Sequence, residues 1–145
     1  MFHIFTVLLV EDADAFAKKV FSDDFHLPST LSRALNVDIS YEEWAALLFD
    51  VLDASLERYR AWVDDWRSGR TTDMFLVPVY PLLSRLNDNL VDVAYTQSEV
   101  GALRQEALSL INVTTNESAG NLLRTILAIC DEAQKHNQAV YLLAP

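Results

Sequence analysis

A mainly α, single-domain fold is what this sequence predicts, and three observations carry the prediction. Its 145 residues suffice for one hydrophobic core without disulfide or metal staples. Of these, 51% are apolar and only 3 are glycine, the composition of packed helices rather than of disorder or a turn-rich sandwich. From Ser40 to Ser68 no Pro or Gly interrupts the chain, and the apolar residues recur at helical spacing. The expected architecture is a helical bundle around one long amphipathic helix at about 41–68. A minor sheet would pair the N-terminal segment, 2–10, with the C-terminal one, 139–143. No repeat, low-complexity tract or linker divides 1–145, so the whole reads as a single acidic helical domain.

The N-terminal run Phe2 to Val10 is rich in β-branched and aromatic residues and short enough for a buried strand. Asp12 or Asp14 can cap a first helix through Phe21. The hexapeptide Val7–Asp12, VLLVED, resembles the first strand and acidic pair of response-regulator receiver domains. That resemblance implies alternating strands and helices and a phosphoacceptor Asp at the end of a later strand. No such Asp stands in this sequence, and the long helix occupies the place of that strand.

Ser29 or Thr30, after Pro28, can open a short helix through Leu35, so that 29–44 scans like a helix-turn-helix. A DNA-reading second helix would offer Arg, Lys, Asn or Gln, whereas this one offers Tyr41, Glu42 and Glu43. What stands is a helix hairpin feeding the long helix.

Ser40 and Glu43 make a capping box that starts the long helix, and Gly69 suits the left-handed residue that ends it. At 100° per residue, Tyr41, Trp44, Ala45, Leu48, Val51, Leu52, Leu56, Tyr59, Trp62, Val63 and Trp66 gather on one side. Glu43, Asp50, Asp53, Glu57 and Asp64 gather on the other, with Arg60 as the one cation in their arc. The acid stripe reads either as a solvated face or as a docking surface for a basic partner. A helix of this length outruns a small domain, so its Trp62–Trp66 end is where an exposed apolar interface is expected.

Beyond Gly69, Met74 to Tyr80 is an apolar stretch broken by Pro78. It reads as an extended lead into a helix with Pro81 in its first turn and Leu82, Leu83, Leu86, Leu90, Val93 and Ala94 inward. Thr96 and Glu99 form a second capping box for a helix to about Ile111. Glu117 then sits in the first turn of a last helix, which Lys135 and His136 close at its negative end. Asn137 is a left-handed stop, and Ala139 to Leu143 is a terminal strand.

The sequence carries no catalytic or metal-binding motif. His3, His26 and His136 lie far apart, with no carboxylate or His at metal-ligand spacing, and Cys130 is single. The scattered glycines exclude a phosphate-binding loop. No catalytic residue, cofactor or metal ligand is assigned. One cysteine excludes an internal disulfide and points to a reducing compartment. The apolar start lacks a basic leader and is too short to span a bilayer, so a cytoplasmic location is expected. The formal net charge is −10. Residues 1–65 hold 13 acids against 5 bases and 66–145 hold 8 against 6, so most of the negative field lies in the first half. Such a field repels nucleic acid and draws in cations.

These features together predict a non-enzymatic, intracellular protein-binding module. It would neutralise or escort a basic protein, as an immunity protein, antitoxin or other toxin inhibitor does, through Glu43, Asp50, Asp53, Glu57 and Asp64. Charge reversal there should weaken binding more than reversal at Glu106 or Glu132. The alternatives are a self-associating helical protein, a homodimer through Trp62 and Trp66, and a small-ligand binder or enzyme with a pocket between helices.

Overall fold

The strand at the N-terminus is a continuous apolar run because both of its faces are covered. The computed structural model describes residues 5–21, 32–35, 37, 39–72, 79–86 and 91–145. Within them β1 (Thr6–Val10) is followed by α1 (Ala13–Val20), β2 (Ser32–Leu35) and α2 (Tyr41–Arg67). A 3-10 turn (Leu83–Arg85), β3 (Val93–Tyr95), α3 (Val100–Ile111), α4 (Glu117–Lys135) and β4 (Ala139–Leu143) complete the order. Helix predominates, and the sheet is small, antiparallel and ordered β2-β1-β4-β3.

Alternation along the central strands sorts the side chains into two cores. Val7, Leu9, Val140 and Leu142 join Trp44, Leu47 and Val51 of α2, together with the inward faces of α3 and α4. Leu8, Val10, Ala139 and Tyr141 face the other way, against Ala13 and Phe16 of α1. Phe16 meets the Tyr141 ring edge-on at 4.8 Å between centroids. The sheet is thus a middle layer with α1 on one side and the larger helices on the other.

The expected pairing of the termini is present, with Thr6 opposite Leu143 and Val10 opposite Ala139. Residues 2–4 of the predicted strand lie outside the described residues. So do Ser29 and Thr30, the predicted start of the second helix, and the lead from Met74 to Pro78. Two expectations are corrected. Ser32–Leu35 is a strand, not the end of a helix, and Val93–Tyr95 is a strand, not the inward face of one. The reason is common to both. Once β1 and β4 pair and are buried on both faces, their outer edges hold amides and carbonyls that need partners, and β2 and β3 supply them. A second consequence corrects the bundle: α1 is separated from α2, α3 and α4 by the sheet, so the helices do not surround α2 alone.

Helix ends follow the local chemistry. Asp12 accepts from the Ala15 amide at 3.0 Å, Ser40 from Glu43 at 3.2 Å and Asn116 from Ala119 at 3.1 Å. Ser40 also donates to the Glu43 carboxylate at 2.7 Å. Both long helices close on the same motif. Gly69, at φ 74°, donates to Trp66 at 3.2 Å while Arg70 donates to Asp65 at 2.8 Å; Asn137, at φ 53°, donates to Gln134 at 3.2 Å while Gln138 donates to Ala133 at 2.9 Å. At the second predicted box Glu99 accepts from the Thr96 amide at 2.9 Å, although the helix proper begins at Val100.

Candidate functional site

Three faces divide α2, set at about 120° to one another round its axis. The first is the core face, Trp44, Leu47 and Val51, all in the first three turns. The second holds Tyr41, Phe49, Leu52, Leu56, Tyr59 and Trp66, every one exposed; Phe49 keeps 67% of its surface and Trp66 54%. The third carries Asp53, Glu57 and Asp64, also exposed.

The apolar side read from the sequence is therefore not the buried side. Leu52, Leu56, Tyr59 and Trp66, expected to pack with Trp44 and Val51, stand in solvent. The stripe faces about 120° away from the core face, which exposes Tyr41, Phe49 and Leu52 even where α2 packs, and beyond Val51 length adds to the exposure. A 27-residue helix runs about 40 Å, whereas the 19 residues of α4 beneath it run about 28 Å. Beyond Val51 no residue of α2 is fully buried. Trp62 is half-buried, its ring 6.0 Å from that of Tyr59.

The five predicted partner-binding acids separate into two sets. Glu43 is held in the reciprocal bond with Ser40, and Asp50 accepts the hydroxyl proton of Thr114 from the α3–α4 turn. Both are occupied in holding the fold. Asp53, Glu57 and Asp64 have no ion pair with a Lys or Arg among the described residues. Asp65, not assigned in the sequence reading, does: Arg70 Nε lies 2.8 Å from its Oδ1. The two acids expected to serve as indifferent comparisons are engaged instead, Glu106 with backbone amides and Glu132 with His136 at 3.0 Å.

The chain matches no family model, no curated protein and no solved structure. Residue geometry is accordingly the whole basis for a functional reading.

Elsewhere the polar side chains are spent on structure. Glu106 accepts from the Leu82 amide at 3.0 Å and the Leu83 amide at 3.1 Å, capping the 3-10 turn, and burial pushes its carboxyl up. The Tyr95 hydroxyl donates to the Leu82 carbonyl at 2.8 Å. Arg85 grips Glu99 with both terminal guanidinium nitrogens while donating to the Ala94 carbonyl at 2.9 Å, and its Cζ lies 5.4 Å from the centroid of the Tyr95 ring. That guanidinium, with the Thr96 amide, lowers Glu99 to about 2 against the opposing effect of burial. No sequence pattern signals the pairing of Arg85 with Glu99, since the two come from different elements.

Among the described residues no group of three or more His, Cys, Asp and Glu could hold a metal ion. Cys130 is buried in α4, and desolvation pushes its thiol up to about 12, so almost none of the nucleophilic thiolate forms near neutral pH. At the β1–α1 turn a shallow groove is lined by Val10, Glu11, Asp12, Ala15, Phe16 and Lys19. There Asp12 is the helix cap, and the all-antiparallel sheet departs from the alternating architecture that the VLLVED resemblance implies. No helix among the described residues is long and apolar enough to cross a membrane.

Proposed function

We propose that the protein is a non-enzymatic binding module that engages a basic protein partner through the acid row Asp53, Glu57 and Asp64 of α2. One observation carries the reading: three exposed carboxylates at helical spacing, with Arg60 as the one cation in their arc, form no ion pair with their own chain among the described residues. Like charges three or four residues apart cost a helix a few tenths of a kcal/mol per pair, so the row works mildly against the stability of α2. An opposite field on a partner relieves that cost, speeds encounter and selects among partners. The placement on a helix that outruns its domain leaves the row accessible from a wide range of approach directions. Glu43 and Asp50 take no direct part, being committed to the N-cap and to Thr114.

The class of action is neutralisation or escort of the partner, as an immunity protein or antitoxin provides. Affinity capture from the source cell, with elution by a salt gradient, tests it. A basic protein released as ionic strength rises supports the reading. Capture of no protein, or only of proteins whose retention is indifferent to salt, contradicts it. The self-associating alternative draws on the other exposed face of the same helix.

A further inference from the structure

We infer that the apolar stripe of α2 is the seam of a homodimer, two copies packing antiparallel about a twofold axis near Leu56. The occupant is a second copy because the charges on the rim of the stripe complement themselves in that arrangement and in no parallel one.

From Tyr41 to Trp66 the stripe runs about 37 Å, and at the width of a helix it offers a few hundred Å² of contiguous apolar surface, the scale that marks an interaction site. Along one rim, within an arc of about 40°, stand Glu42, Asp53, Arg60 and Arg67. All four are exposed, and among the described residues none has an ion pair within the chain. The acids lie toward the N-terminal end of the helix and the bases toward the C-terminal end. The opposite rim, at Ser55 and Trp62, carries no charge.

Two helices packed antiparallel bring each rim against its own copy, whereas parallel packing brings one rim against the other. Antiparallel packing therefore sets Asp53 against Arg60 of the second copy and Glu42 against its Arg67, each pair formed twice by symmetry. Both pairs are satisfied by an axis within about one residue of Leu56, whose side chain then meets its own copy at the centre. Parallel packing would leave all four charges facing uncharged positions. Asp53 is shared between this rim and the acid row, whereas Glu57 and Asp64 lie further round the helix from the stripe and remain outside the seam, so they stay open to a basic partner in the dimer.

Sedimentation equilibrium of the full chain across the micromolar range tests the inference. The wild type should be a dimer, and Leu56→Glu should be monomeric with unchanged helicity, since Leu56 is exposed in the single chain, while its melting temperature loses the concentration dependence that the dimer confers. Asp53→Arg and Arg60→Asp each set like charges together at two symmetric places and should weaken the dimer about tenfold. The double exchange Asp53→Arg/Arg60→Asp restores opposite charges and should return the dissociation constant to within about threefold of the wild type. A wild type that stays monomeric throughout overturns the proposal. So does a dimer that Leu56→Glu leaves intact, which would place the seam on another face, or a double exchange no tighter than its single components.

Discussion

Thr114 donates its hydroxyl to the Asp50 carboxylate, tying the α3–α4 turn to the middle of α2. The bond separates the acids that hold the helix down from the acids that do not. It also marks where α2 leaves the body of the domain, because Val51 is its last fully buried residue.

Removing either partner should destabilise the fold. Thr114→Val and Asp50→Ala should each cost about 1.5–3 kcal/mol in urea unfolding, the range for a hydrogen bond to a charged group. The double variant should cost little more than either alone, because the two residues share one interaction. Asp53→Asn, one turn further on, should change stability by no more than a few tenths of a kcal/mol. Additive losses at 50 and 114 would mean that the bond is not what couples them.

Acid should loosen the clasp between the 3-10 turn and α3. Glu99 is held down to about 2 in the folded chain, against an ordinary value of 4.5. A depressed carboxyl contributes stability above its unfolded value and loses it as pH falls through the folded one. Between pH 4.5 and about 2 the wild type should therefore lose its advantage over Glu99→Gln, with melting temperatures converging at the acid end. Glu106 runs the other way. Burial raises it, so its contribution is greatest at low pH and falls as pH rises through its folded value. Glu106→Gln should accordingly flatten the neutral side of the profile and leave the acid side unchanged.

Trp44 is 4% exposed, and among the described residues its indole nitrogen has no hydrogen-bond partner. An unsatisfied buried donor costs about 1–3 kcal/mol. Trp44→Phe removes that penalty along with some packing and should leave stability within about 1 kcal/mol of the wild type. Trp44→Ala should cost about 3–5 kcal/mol through the cavity it leaves. Denaturant midpoints distinguish the two. A phenylalanine variant as damaged as the alanine one would show that shape, not the unpaired donor, dominates.

The left-handed helix ends offer a paired test. At φ 74° with no atom within 4 Å of an added Cβ, Gly69→Ala should cost about 1 kcal/mol through strain alone. Asn137→Gly relaxes the same conformation and should be neutral or stabilising by a few tenths of a kcal/mol. Thermal unfolding checks both signs.

Local signals were the legible ones. Ser40 with Glu43, Gly69 and Asn137 announce helix ends because each acts on backbone within a few residues of itself. The terminal strands were legible because two orphan apolar runs had no partner but each other. The short strands were not. Val93–Tyr95 fits a helical spacing as well as an alternating one, and only the open edge of β4 decides between them. The buried face of α2 differs from the one that periodicity predicts for a similar reason. Helical periodicity shows that Leu52, Leu56 and Tyr59 share a face, but whether the body of the domain extends far enough to cover that face depends on α4 and the sheet. For the site, spacing brought five acids to one side of a helix, yet the engagement of Asp50 by Thr114, 64 residues away, has no local signature.

The free carboxylates of α2 are proposed as the binding surface. The most direct test is quantitative capture of the basic partner at low salt by the triple variant Asp53→Lys/Glu57→Lys/Asp64→Lys, beside Glu117→Lys as a control of equal exposure in α4. The triple variant should lose capture by at least about tenfold while the control retains it. Equal capture by the wild type, the control and the triple variant would contradict the account.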